Sequence, residues 1–237
     1  MMRKIIVMQS YFFFIMIGKR FGGLLTVCVI LVILLGFQST SNMDTLSVLL
    51  TGTSFADAKA GYVDLPNVWL VVFTLPTVII GPSFEVLWRQ NFSLLRGQGY
   101  TGRQFGVVNV WLMLVAALCY VFAIGVAATV TDFLKAVSSQ RVLSIPSLLQ
   151  YLDMVIIIFG FLLITQLVNW RVSRGALLVV PVILVATLYA SNIYNPVNLI
   201  IKERAVIVQA VALWAGTFSV VLLVVSYIFL CGRQELK

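Results

Sequence analysis

Few side chains in this sequence are equipped for chemistry, and those few are unevenly placed. Glu85 and Asp153 are carboxylates within apolar runs, where an ionised group is costly and its retention is a reason to look for function. Glu85 precedes Arg89 by one helical turn, the favourable order for an i,i+4 ion pair, so the two suit either a satisfied interfacial pair or an element that transmits motion. Asp153 is expected about 7 Å below the outer end of its helix at 1.5 Å per residue, shallow enough to meet interfacial water. Gln166, Asn169 and Gln209 are amides that either bond across helices or line a path. Glu85, Arg89, Asp153, Gln166 and Gln209 together form the candidate gate or translocation path. Catalysis is poorly served. The absence of histidine removes the commonest general base and metal ligand, and Cys28, Cys119 and Cys231 are scattered through apolar runs with no Cys-x-x-Cys pair. They read as small buried side chains. No Gly-x-x-x-x-Gly-Lys-Ser/Thr loop is present to cradle a nucleoside triphosphate. The expectation is a protein that is not an enzyme and holds no metal or cofactor of its own.

The elements that must position these residues follow from composition. Of 237 residues, 61% are apolar and 10% charged, with a mean hydropathy of +1.07. An ordinary soluble domain has roughly 45–50% and 25%. This excludes a soluble globular protein and predicts an all-α integral membrane protein, because only helices or closed barrels satisfy their backbone in lipid. Apolar runs long enough to cross about 30 Å of hydrocarbon predict six spans at about 21–37, 68–88, 107–131, 148–170, 176–194 and 205–231, within a single transmembrane domain covering 1–237. Pro76, Pro82 and Pro181 fall inside these runs, where each removes a backbone donor. Gly125, Ala127 and Ala128 in the third span and Ala212, Ala215 and Gly216 in the sixth permit close helix contact, within the chain or with a second copy.

The formal charge of +8 is first a topology signal, not a nucleic-acid footprint. With the N-terminus inside, eleven of the sixteen Lys and Arg fall on the cytoplasmic side and Lys59, Lys135, Arg141, Lys202 and Arg204 outside, which favours both termini cytoplasmic. Trp69, Trp88, Trp111 and Trp170 are expected at headgroup level at span ends. Residues 1–20 read as an interfacial helix, with Arg3 and Lys4 near anionic headgroups, or else as an extension of the first span.

The connection from Arg89 to Phe105 is the most informative stretch. Phe92, Ser93, Leu94, Leu95 and Arg96 suggest a short amphipathic helix stopped by Gly97, and Thr101 is placed to cap the next helix. Flanked by glycines and by Arg103, the stretch is either a docking surface for a soluble partner or a basic loop that sets topology.

Leu65-Pro66-Asn67-Val68-Trp69, Gly81-Pro82-Ser83-Phe84-Glu85, Leu94-Leu95-Arg96-Gly97 and Thr101-Gly102-Arg103-Gln104-Phe105, in this order among six spans, resemble the membrane subunits of ATP-binding cassette exporters of the second type. The resemblance extends to their small permeases for export of, or immunity to, bacterial peptides. It implies that Asn91 to Gly97, with Thr101 and Arg103, is a coupling helix seated on a separate cytoplasmic ATPase, which would hold the ATP and magnesium. It further implies a second permease copy or homologue, membrane lipid as surroundings, the bacterial plasma membrane as location, and a peptide or lipid-like amphipathic cargo. Asn195 to Ile201 leaves room for at most one short re-entrant piece between the last two spans. The alternatives are a solute-binding six-span component of another transporter and a passive membrane immunity protein.

Overall fold

The structure, a computed structural model, describes residues 2–39, 43–97, 99–139, 148–172 and 175–233. All regular elements among the described residues are helical: α1 (Met2–Gln38), α2 (Thr45–Leu49), α3 (Phe55–Ala60), α4 (Asn67–Gly97), α5 (Gly102–Ser139), α6 (Leu148–Asn169), α7 (Ala176–Tyr189), a 3-10 helix (Pro196–Ile200) and α8 (Lys202–Arg233). Five of them, α1, α4, α5, α6 and α8, are long and apolar enough to cross a membrane. The chain is therefore a multi-pass membrane protein by architecture.

Two expectations are corrected. The apolar run from Ala176 does not build a full span: α7 has 14 residues, about 21 Å at 1.5 Å per residue, short of the roughly 30 Å of hydrocarbon. Hydropathy continues to Tyr194, but the helix stops where Asn192, Asn195 and Pro196 bring turn chemistry; the Asn195 side chain accepts from the Val197 amide at 3.0 Å and starts the 3-10 helix. That 3-10 helix, with Val197 to Ile200 buried, is the one short piece expected between the last two apolar runs. The N-terminal stretch is likewise no separate interfacial helix. α1 runs unbroken for 37 residues through Gly18-Lys19-Arg20, since nothing there forbids helix. Ile5, Gln9, Phe13, Ile17, Leu24, Cys28 and Val32 form one buried stripe at i+4 and i+7 spacing. Phe13 meets Phe84 of α4 with ring centroids 5.1 Å apart. The extension reading holds.

α1 packs on α4 and α5, while α6 lies centrally against α4, α5, α7 and α8. Small residues supply the close contacts within the chain. A Cβ on Gly125 would lie 2.8 Å from the Tyr151 ring, one on Gly106 3.0 Å from the Cys231 side chain, and one on Gly216 3.3 Å from Pro196. Ala128 and Ala212 are fully buried. Of the cysteines, Cys28 and Cys231 are buried as expected, but Cys119 is exposed, on the face of α5 turned from the bundle.

One polar contact in the core is dictated by a proline. Pro76 has no amide hydrogen to donate to the carbonyl of Val72, four residues earlier in α4. The Tyr120 hydroxyl of α5 donates to that carbonyl at 2.7 Å and leaves its own oxygen for the Cys28 thiol of α1, 3.0 Å away. Three helices are joined at the carbonyl that Pro76 leaves open. We expect Tyr120→Phe to destabilise the chain by about 1–2 kcal/mol, the cost of a buried carbonyl losing its donor. In a Pro76→Ala background, where the helix supplies that donor, the loss should shrink; equal costs in both backgrounds, measured by denaturation in mixed micelles, would show that the two are not coupled.

Candidate functional site

Two clusters occupy opposite ends of the bundle. One end carries the α4–α5 turn. α4 passes through Pro76 and Pro82 and continues to Gly97 without interruption, so the expected separate helix at Phe92 to Arg96 is instead the last part of a 31-residue helix. The physical reason is that Arg89-Gln90-Asn91-Phe92-Ser93-Leu94-Leu95-Arg96 contains neither Gly nor Pro to break it. The helix ends at Gly97 as expected, and Gly99 takes φ 79°, a left-handed conformation that glycine adopts without steric cost. Thr101 then caps α5. Its hydroxyl accepts from the Gln104 amide at 3.3 Å while the Gln104 side chain accepts from the Thr101 amide at 3.1 Å, a reciprocal capping box. Arg103 is exposed, and its stem crosses Gly232 near the end of α8, where a Cβ would lie 2.7 Å from Arg103 Cγ. The side chains of Glu85, Trp88, Arg89 and Asn91 through Arg96 lie outside the described residues.

Of the candidate path residues, Asp153, Gln166 and Gln209 have described side chains. Gln166 is buried and its amide donates to the Gly81 carbonyl of α4 at 2.5 Å, so it ties α6 to α4. Gly81 allows this approach, since even a methyl group there would sit 3.2 Å from Thr165. Asp153 lies about 20 Å along α6 from Gln166 at 1.5 Å per residue. It lies five residues into α6, as expected, but packed inside the bundle: it is 2% exposed, and its Oδ1 has no hydrogen-bond partner among the described residues. Gln209 is half-buried on α8.

The other end is closed by a polar cap. Arg204, at the start of α8, is completely buried. Its Nε donates to Thr53 O at 2.7 Å, Nη1 to Thr187 O at 2.7 Å, Ala190 O at 2.8 Å and Asn198 Oδ1 at 3.2 Å, and Nη2 to Leu188 O at 2.8 Å. Phe55 of α3 lies under the guanidinium, 4.9 Å from ring centroid to Cζ. The acceptors from Thr187 to Ala190 lie at the end of α7, where the last carbonyls lack a full set of intrahelical donors, at the negative end of its dipole. A planar cation with five donors satisfies them together, which a lysine ammonium does not. Burial pushes the Arg204 pKa below its ordinary value, yet a guanidinium stays charged at neutral pH.

Around Arg204 the 44–66 segment is sewn to the bundle. The Lys202 amide donates to Leu50 O at 2.9 Å and the Gly52 amide to the Glu203 carboxylate at 2.9 Å. The Trp69 indole donates to Ile200 O at 3.0 Å. Trp69 is 1% exposed, so its ring is packed inside the bundle and not presented at the surface. Trp170 instead stacks on Tyr227, with centroids 5.2 Å apart. On the side nearer α5, Asp132 accepts from the Thr45 amide and hydroxyl at 2.9 and 2.5 Å, while Asp44 caps α2 through the Ser47 amide at 2.9 Å. Counting Arg204 as one outer cation among five missed this role. An Arg directly before a long apolar run, following an Asn-Pro turn, is the only signal that pointed to it. These bonds hold the 44–66 segment, the end of α7 and the start of α8 together.

No protein family matches this chain, and neither a curated protein nor a solved structure matches it.

Proposed function

We propose that the chain is the membrane subunit of an ATP-binding cassette exporter of the second type, acting with a separate cytoplasmic ATPase and a second copy or homologue of itself. The α4–α5 turn is the observation that carries this reading. α4 continues beyond Trp88 for about 14 Å at 1.5 Å per residue, closes on Gly97 and Gly99, and re-enters α5 through a capping box. An unbroken helix of this kind moves as a rod, so a partner that displaces Asn91 to Gly97 displaces the span itself. Arg103, lying over Gly232, carries the same displacement to the end of α8. Arg89, Arg96 and Arg103 support the proposed orientation, with this turn and both termini on the cytoplasmic face. Nucleotide-driven closure of the ATPases would then shift the population between two arrangements of the bundle through their different affinities for the turn.

The test is co-purification from the native host in mild detergent. A tagged chain should bring an ATPase subunit with it, and Arg96→Glu with Arg103→Glu should cut the recovered ATPase tenfold or more. Asp153→Asn should leave recovery unchanged. A chain that elutes without an ATPase, with transport indifferent to both charge reversals, would overturn the reading.

A further inference from the structure

Between the cap-end halves of α5 and α6 runs an open groove of about 880 Å³, within the roughly 300–1,000 Å³ of small-molecule sites. Its walls are Phe122, Val126 and Val130 of α5 and Leu149, Leu152 and Val155 of α6. Tyr151 is seated on Gly125, the one position on this face of α5 where the ring can approach so closely. Among the described residues of the lining, the polar side chains are Thr129 and Tyr151, toward the cap. There the groove meets charge. Asp132 stands one turn beyond Thr129 on α5, and its bonds to Thr45 bring Asp44, which caps α2, alongside it. Both carboxylates are half-buried, and among the described residues they accept from Thr45 and Ser47 of α2. Lys135, one turn further along α5, offsets part of their negative charge.

We propose that this groove seats a single-chain amphiphile with an alkyl tail and an ammonium head, the tail along Phe122, Val126 and Leu152 and the head beside Asp132 and Asp44. The apolar walls fit a hydrocarbon tail and give a polar chain nothing to bond. The paired carboxylates at one end select a cation and repel a sulfate, phosphate or carboxylate head. An ammonium keeps its three donors for carboxylate oxygens and water at the half-exposed rim. The proposal rests on the reading of the chain as an exporter of amphipathic cargo and names the chemistry of that cargo.

The experiment measures binding by the chain alone, so its outcome is independent of any ATPase. The chain is reconstituted in phosphatidylcholine nanodiscs at low salt with a spin-labelled long-chain alkyl amine, fatty acid or phosphatidylcholine. The motionally restricted fraction is read by electron paramagnetic resonance. The amine should be favored about threefold or more over phosphatidylcholine, and the fatty acid disfavored. Asp44→Asn with Asp132→Asn, which retains a side-chain oxygen to cap α2, should bring the amine to parity. Val126→Trp with Leu152→Trp, which fills the groove and leaves both carboxylates, should do the same. On the unaltered chain, unlabelled alkyl amine should displace the probe and alkyl sulfate should not, a readout that survives a variant failing to fold. Parity in the unaltered chain, a preference that persists with the groove filled, or displacement by a cationic peptide but not by alkyl amine would each overturn the proposal.

Discussion

Arg204→Met is expected to cost the chain about 3–5 kcal/mol of stability, the range found when one partner of a buried charged contact is removed. Methionine keeps much of the stem's volume, so the loss comes from polarity. The carbonyls of Thr53, Thr187, Leu188 and Ala190 and the Asn198 side chain each lose a donor in a place water does not reach. Three of these are the terminal carbonyls of α7, so the helix end should fray and take the 3-10 helix with it through the Asn195 bond to Thr187, 2.9 Å. Arg204→Lys should fall between the two, because a point cation does not reach acceptors spread over three segments. Denaturation in mixed micelles gives the stability, and limited proteolysis of the 44–66 segment shows whether the cap has opened. A methionine variant within about 1 kcal/mol of the parent would mean that these carbonyls find other donors.

Trp69→Ala should destabilise by a similar amount, about 3–5 kcal/mol, through the volume lost from a closed site. Trp69 is among the largest fully buried side chains, lies against Phe73 with centroids 5.6 Å apart, and bonds the last residue of the 3-10 helix. Trp69→Phe separates the contributions. It keeps most of the ring volume and removes the indole donor, so its cost should be about 1–2 kcal/mol, mostly the unpaired Ile200 carbonyl. If the ring were instead at headgroup level, both substitutions would be nearly neutral. Combining Trp69→Phe with Arg204→Met tests the cap as a unit. Both residues grip the stretch from Thr187 to Ile200, so the joint cost should be smaller than the sum of the separate ones.

Helix type and membrane class were legible because they depend on local quantities. Hydropathy over about twenty residues predicts a buried or lipid-facing helix whatever its neighbours are. The Thr101–Gln104 box and the stop at Gly97 were legible for the same reason, since capping uses residues a few positions apart. Boundaries between apolar runs were less so. Lys19-Arg20 looks like an interface in sequence, but a helix continues through charges when its buried stripe continues, and Ile5, Phe13 and Ile17 extend the stripe of Leu24 and Cys28. The same holds for Trp88 to Arg96, where no residue breaks α4. α7 errs in the other direction: composition carries the apolar run to Tyr194, while the Asn-Pro turn and the waiting guanidinium end the helix at Tyr189.

By itself the sequence determined that the chain lives in lipid as long helices, where its few charges fall along them, and where the α4–α5 turn is made. Tertiary structure alone decided what the isolated polar residues do. Arg204, Trp69, Tyr120 and Gln166 each satisfy a carbonyl on a different helix or segment, and Asp153 is enclosed, its Oδ1 without a hydrogen-bond partner among the described residues. The physical reason is that a buried polar group is defined by its partner, and the carbonyls of Thr53, Ile200, Val72 and Gly81 lie 48 to 151 residues away along the chain from the side chains they accept from. Hydropathy carries no information about such pairings; packing creates them.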